Sequence, residues 1–233
     1  MNKDLEFETY LNISPEKFGI YLFDIKNKKN LYKEELIIYK IANFSENNIL
    51  KKFLDDNIFK IEKLSGNFIE NITLIIENEN IFNLQIGIKK KNYNNFINKE
   101  YLKNYLTEAK DLFKENYQDE KIMHIIVNKY IIDGKNYQSI DNNLECEQLG
   151  LEIQFKSISN SFIYDLDKIL ENYQIKIIKY LDGNYIRNFF KENIDVSEMA
   201  YKILAGYNEN EVMVVPRNQK KQAFFERFFQ LFS

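Results

Sequence analysis

Apolar and polar residues alternate along Phe7–Ile13 and again along Phe18–Ile25, the two-residue period of strands with one face in a core. Ser14-Pro15-Glu16 supplies a turn between them, and Asn27–Asn30 a second turn before a third strand, Leu31–Ile41. The period then changes. Ile49, Leu50, Phe53, Leu54, Ile58, Ile61 and Leu64 recur at three-and-four spacing, which predicts a helix from Glu46 to about Asn71 with Ser45 as its N-cap and Gly66 as an interruption. Two strands follow, Ile72–Ile76 and Ile81–Lys89, joined by a turn at Glu77–Asn80. Leu102, Tyr105, Leu106, Ala109, Leu112 and Phe113 form one stripe of a helix over Asn98–Tyr117. Lys121–Asp133 reads as a long strand closed by Asp133-Gly134, and Leu149–Ser157 as another. The pattern continues with a helix at Ser161–Tyr173, a strand at Ile175–Tyr180, a helix at Gly183–Lys191 and a short helix at Asp195–Leu204. The fold class expected is mixed α/β (α+β). The alternating strands Ile81–Lys89 and Lys121–Asp133 are expected in one sheet, covered by the helix Asn98–Tyr117.

The last segment has a different pattern. Gly206–Gln219 is polar, contains Pro216 and reads as a linker with an extended patch at Val212–Val215. Beyond it, the spacing predicts an amphipathic helix over residues 220–233. At about 100° per residue, Phe224, Phe225, Phe228, Phe229, Leu231 and Phe232 fall within an arc of about 160°. Glu226 and Gln230 face away from that arc, with Arg227, and Arg217, Lys220 and Lys221 precede it. Four phenylalanines within residues 224–229 are costly to leave in water. Docking on the protein's own core is one way to bury them. The basic flank and preceding linker favour an interfacial helix on anionic lipid.

Composition narrows the function classes. The 233 residues carry a net charge of −3, with 45% apolar and 15% aromatic residues. Such a chain buries a core and lacks the excess of Lys and Arg that general nucleic-acid binding needs. Ile86–Phe96, which mixes lysines with Tyr93 and Phe96, could touch RNA or anionic lipid but reads first as a strand end entering a solvated loop. Cys146 is the single cysteine, so no internal disulfide is expected. Met1–Glu8 has no apolar run of a secretory signal, and no stretch approaches the roughly 20 residues of a membrane span. Membrane contact is therefore expected to be peripheral and on the cytoplasmic side.

No motif supports catalysis. His124, the single histidine, sits among apolar residues in a strand and reads as a core or edge residue. One His and one Cys leave no zinc site of the usual kind, so no metal is expected. Asp55-Asp56 lies on a Lys-flanked helix, and Glu145/Glu147 in an Asn-rich loop; neither shows the burial that acid–base work needs. There is no phosphate-cradling Gly-rich loop and no dinucleotide fingerprint.

The order of elements, with KIMHIIVNKYIIDG (Lys121–Gly134), LGLEIQFKSISNSFIYDLDKILENYQIKI (Leu149–Ile177) and the terminal helix, resembles the first half of FtsA, the actin-like bacterial division protein that tethers FtsZ filaments to the membrane. The resemblance implies a partial actin-like lobe with an inserted strand–helix–strand–strand subdomain. The lobe's meander and helix would occupy residues 1–71 and the insert 72–158. The lobe would return at 159–205, before a linker at 206–219 and a membrane-targeting helix at 220–233. PilM-type pilus proteins share that subdomain and lack such a tail.

Tyr10–Asp24 stands where the family has its first phosphate-loop hairpin, which places Asn12, Ser14 and Lys17 at a degenerate nucleotide loop. Only Lys17 matches the family's pattern there. Glu16 opposes phosphate and Pro15 lacks an N–H donor. The family's second phosphate loop and second lobe do not follow Phe190. The implied protein is a non-enzymatic, FtsA-like peripheral membrane adaptor of cell division. No cofactor is expected, ATP included. Its expected partners are anionic lipids of the inner membrane and other division proteins, with FtsZ less favoured because its binding lobe is missing. Self-association is left open and nucleic acid is not expected. The alternatives are a degenerate actin-like ATPase and a PilM-like pilus or secretion scaffold.

Overall fold

The computed structural model describes residues 7–38, 48–97, 99–140, 144–190 and 194–212. In chain order these form β1 (Phe7–Ile13), β2 (Lys17–Asp24), β3 (Lys29–Ile37), α1 (Asn48–Ser65), β4 (Asn71–Ile76), β5 (Phe82–Phe96), α2 (Lys99–Asn116), β6 (Glu120–Ile132), β7 (Lys135–Tyr137), β8 (Glu145–Ser159), α3 (Asn160–Glu171), β9 (Lys176–Asp182), α4 (Gly183–Phe189) and α5 (Val196–Leu204). They fall into two compact units. One holds the described residues up to Ile81 with Ser159–Lys202; the other runs from Phe82 to Ile158 and takes up the chain again at Ile203.

The first unit is built on a five-stranded sheet of order β3-β2-β1-β4-β9. β1, β2 and β3 make the expected antiparallel meander, while β4 pairs parallel to β1 and β9 parallel to β4. Alternation along β2 sends Phe18, Ile20 and Leu22 to one face and Gly19, Tyr21 and Phe23 to the other. α1 covers the first face, with the Phe53 ring 6.2 Å from that of Phe18. α3 lies beside α1, where the Tyr173 hydroxyl at its end donates to the Lys51 carbonyl and the Asp55 carboxylate. α5 covers the second face, its Tyr201 ring 5.0 Å from Phe23. Ser159 caps α3, its hydroxyl accepting from the Phe162 N–H, and Asp182 caps α4 by accepting from Asn184 and Tyr185.

The second unit is a four-stranded sheet, β5-β8-β6-β7, with α2 across one face. Leu102, Tyr105, Ala109 and Phe113 of α2 pack on Ile88, Ile125, Val127, Leu149, Leu151, Ile153 and Phe155. Phe113 stacks on Phe155 with ring centroids 5.0 Å apart, and burying such a ring stabilises by about 2 kcal/mol. β5 and β6 thus share a sheet under the expected helix, but β8 runs between them.

Several boundaries differ from the sequence reading for physical reasons. α1 ends at Ser65, because Gly66 takes a left-handed φ of 69° and stops it rather than interrupting it. β4 belongs to the first sheet, so the inserted unit begins at Phe82 and not at residue 72. β5 runs on to Phe96 through a bulge at Lys91–Asn95 that admits the polar residues there. β8 starts at Glu145, which puts Glu145 and Glu147 on a strand and not in a loop. Residues 210–212, read as part of a linker, run along β6.

Candidate functional site

β1, β4 and β9 are parallel and end together, so the turn after β1, the exit of β4 and the start of α4 share one end of the first sheet. Such an end, outside the carboxyl termini of parallel strands, is where open α/β sheets bind ligands. Here it is closed by its own residues. The turn Ser14–Lys17 folds on itself: the Ser14 N–H donates to the Lys17 carbonyl at 2.9 Å, and the Ser14 hydroxyl to the same oxygen at 3.0 Å. The Lys17 ammonium sits 3.0 Å from Glu35 of β3, which also accepts from the Tyr21 hydroxyl at 2.5 Å.

That carboxylate opens a polar chain across the edge of the sheet. Lys33 lies 4.0 Å from Glu35 and pairs with Asp195, which accepts from Asn30 at 2.9 Å; Asn30 in turn accepts from the Ser197 hydroxyl. Burial pulls the Glu35 carboxyl up, but the hydrogen bonds from Tyr21 and Lys17 and the nearby lysine charges hold it below its ordinary value. Burial, then the bond to Glu35, push the Tyr21 phenol far above its ordinary range, so it stays a donor.

On the other side of the turn, the Glu77 N–H donates to the Ile13 carbonyl and ties β4 to β1. Its carboxylate receives both Nε (3.1 Å) and Nη2 (3.0 Å) of Arg187 from α4. α4 can lie this close only because residue 183 is glycine: a Cβ there would stand 2.3 Å from Glu77 Cγ. Between the two clusters is Asn12, fully buried, in register with Gly19 on β2 and Ile75 on β4. Neither end of its carboxamide has a hydrogen-bond partner.

The structure therefore places Ser14 and Lys17 at the turn between β1 and β2, with Asn12 two residues before Ser14 on β1. It adds Glu35, Tyr21, Glu77 and Arg187, which no sequence motif marks. The residues expected to bind membrane, Arg217, Lys220, Lys221, Phe224, Phe225, Arg227, Phe228, Phe229, Leu231 and Phe232, lie outside the described residues, as does Ser45, the expected N-cap. His124 is buried, with Nδ1 2.6 Å from Oε1 of Glu211. Burial pushes the Cys146 thiol up, which disfavours the nucleophilic thiolate. An open groove of about 740 Å³ runs between β3 and α1, but its buried Asn57 is already bonded to Tyr32 and to the Phe53 carbonyl. Among the described residues, no helix is long and apolar enough to cross a membrane, and no three His, Cys, Asp or Glu side chains stand close enough to hold a metal.

No family model matches the sequence. The uncharacterized protein MG414 of Mycoplasma genitalium is 22% identical over 240 residues, a match spanning 85% of this chain and 22% of that protein. The chain therefore spans about a fifth of the length of that relative. Among solved structures, the PilM–PilN type IV pilus biogenesis complex aligns with a TM-score of 0.50 at 8% identity, over 80% of this chain and 50% of that one. The cytoplasmic domain of EpsL, an inner membrane component of the type II secretion system of Vibrio cholerae, aligns at 0.33 and 8%, over 77% and 57%. A Bacteroides thetaiotaomicron protein with an actin-like ATPase fold aligns at 0.30 and 14%, over 79% and 55%. The first of these likenesses, with the meander, the parallel strands and the inserted sheet described above, identifies the fold of this chain as mixed α/β and actin-like.

Proposed function

We propose that this chain is a non-catalytic, actin-like scaffold that holds a partner at a membrane-associated assembly. The observation that carries the reading is the turn Ser14–Lys17: its Ser14 N–H and hydroxyl are used on Lys17, the Lys17 ammonium is paired with Glu35, and Glu77 and Arg187 neutralise each other beside it. A phosphate entering there has to break these bonds, meet Glu16 and do without the N–H that Pro15 lacks. The PilM–PilN complex supports a binding role, because in it a protein of this fold assembles with a partner in pilus biogenesis.

The finer reading is an FtsA-like adaptor of cell division on the inner face of the membrane. The pattern of residues 217–232 supports it, with Phe224, Phe225, Phe228, Phe229, Leu231 and Phe232 on one arc and the cations Arg217, Lys220, Lys221 and Arg227 to meet anionic lipid.

Calorimetric titration with Mg-ATP tests the first part, with no micromolar binding expected. Micromolar affinity would instead favour the degenerate ATPase. Flotation with liposomes containing anionic lipid tests the second. The wild type is expected to float, and Phe228→Glu with Phe229→Glu to stay in solution with its melting transition intact. A wild type that never floats leaves the pilus or secretion scaffold as the better reading.

A further inference from the structure

β6 is paired along one edge by β8, from the Ser157–Glu120 contact at one end to the Asp133 N–H on the Gln148 carbonyl at the other. Its opposite edge carries β7 only at Tyr130–Ile132. The stretch of that edge before β7 is occupied by the chain's own residues 210–212. Ile126 faces Glu211 in an antiparallel bridge, the Val127 N–H donates to the Asn210 carbonyl, and the Val212 N–H donates to the Ile125 carbonyl, both at 2.8 Å. Behind the bridge, His124 and Glu211 meet at 2.6 Å with side chains 0% and 8% exposed, and Val212 packs against the core under α2.

We propose that this stretch of β6 is a strand-docking site. Residues 210–212 are its resident and exchangeable occupant, and the competing occupant is an extended acidic segment of a partner protein. The proposal rests on the scaffold reading above and gives it a place to hold a partner. Among the described residues, two backbone hydrogen bonds and the His124–Glu211 contact hold residues 210–212 on β6, a pairing much shorter than the one β8 makes along the other edge, and short pairings are the ones that open locally. A sheet edge is a template for any extended chain, and side chains decide which chain fits. The selective element here is His124. A buried imidazole beside a strand position calls for a carboxylate, because either group taken out of water alone is costly. The resident shows the matching chemistry: a glutamate opposite Ile126 that reaches His124, then a β-branched apolar residue that enters the core.

The test uses the full chain and a fluorescein-labelled peptide with the sequence of residues 206–212, GYNENEV. Wild type is expected to bind it weakly in anisotropy titrations, because the resident competes. Glu211→Gln, which loosens the resident, is expected to bind at least about tenfold tighter, a change of about 1.4 kcal/mol. His124→Gln is expected to lose the preference for this peptide over the one with Gln at the position of Glu211. Amide exchange on the wild type gives a second reading that needs no variant: Val212 should exchange at least about a hundredfold faster than the amides of β8. No peptide binding by any form, or Val212 protected as well as β8, would make residues 210–212 a permanent strand and sink the proposal. Concentration-dependent dimers in place of peptide binding would assign the edge to a second copy and overturn the partner. None of these outcomes bears on the Mg-ATP titration, so the docking site and the scaffold reading fail separately.

Discussion

β1 and β6 each bury a polar side chain in an otherwise apolar stretch of strand, Asn12 at 0% exposure and His124 at 1%. The two are treated in opposite ways. His124 meets a carboxylate delivered 87 residues later in the chain, and the delivery also lays down a short strand. Asn12 lies among satisfied neighbours and neither end of its amide finds a partner. A buried polar group that is paired holds structure together, while one left unpaired carries a desolvation cost with no return. The first describes a working joint in the second unit. The second describes, in the first unit, a mouth whose other groups have been turned toward one another.

The largest effect is expected at the joint. His124→Leu leaves the Glu211 carboxylate facing an apolar side chain, which costs about 3 kcal/mol. The strain is relieved by residues 208–212 leaving the sheet, so urea unfolding should show the loss and amide exchange should place it at Val127 and Val212. Adding Glu211→Leu should recover most of the stability, because the pair is then replaced by apolar contacts of similar bulk. A double variant as weak as the single one would mean that the pair acts through something other than charge burial.

At the mouth, Gly183→Ala comes next, at about 2 kcal/mol. The new methyl group meets Glu77 Cγ and Ile75 Cγ2, and α4 has to withdraw from β4. Glu77→Ala in the same chain removes the obstruction, so a melting curve should show the double variant losing less than the sum of the two single ones. Simple additivity would show that Glu77 is not what the glycine makes room for.

Asn12→Leu is expected to act with the opposite sign. Removing an unpaired buried amide and leaving an apolar side chain of similar size should raise stability by about 1 kcal/mol, measured by urea unfolding. If the amide instead serves a bound molecule, the gain disappears in the presence of that molecule, and the contrast between Asn12 and His124 narrows.

The difference between the two regions also explains what the sequence discloses. Local patterns gave the meander, α2 with its stripe from Leu102 to Phe113, and the long strand around His124, because each is set by a period within one segment. They also marked the turn at Ser14-Pro15-Glu16 between β1 and β2. The partners are another matter. Glu35, Glu77 and Arg187 are scattered single charges, and nothing in their own surroundings marks them as neighbours of that turn. β4 reads as an isolated apolar run, and its membership of the first sheet depends on a parallel pairing with β1 about sixty residues upstream. β5 beyond Lys89 hides its pairing because a bulge lets lysines and asparagines sit on an edge strand. His124 was legible as a core or edge residue, but its carboxylate lies in a polar stretch that carries no strand period.

The smallest effect tests whether the mouth is held by charge as well as by packing. The Glu35 carboxyl is pulled up by burial, yet the bonds from Tyr21 and Lys17 and the lysine charges leave it below its ordinary value of 4.5. A carboxyl that is more acidic folded than unfolded adds stability above the unfolded value and loses it as pH falls through the folded one. The contribution is therefore complete at neutral pH and fades below about pH 4.5. Glu35 is 31% exposed and both lysines reach solvent, so screening leaves the contribution below about 1 kcal/mol. Glu35→Gln should accordingly cost a few tenths of a kcal/mol at pH 7 and make stability less steep in pH below 4.5, with the difference shrinking in high salt. The same substitution should leave Val212 exchange untouched, since Glu35 and the His124–Glu211 pair belong to different units. An unchanged acid slope would mean that the Lys17–Glu35 contact contributes packing alone, and that the turn Ser14–Lys17 is closed by its own hydrogen bonds.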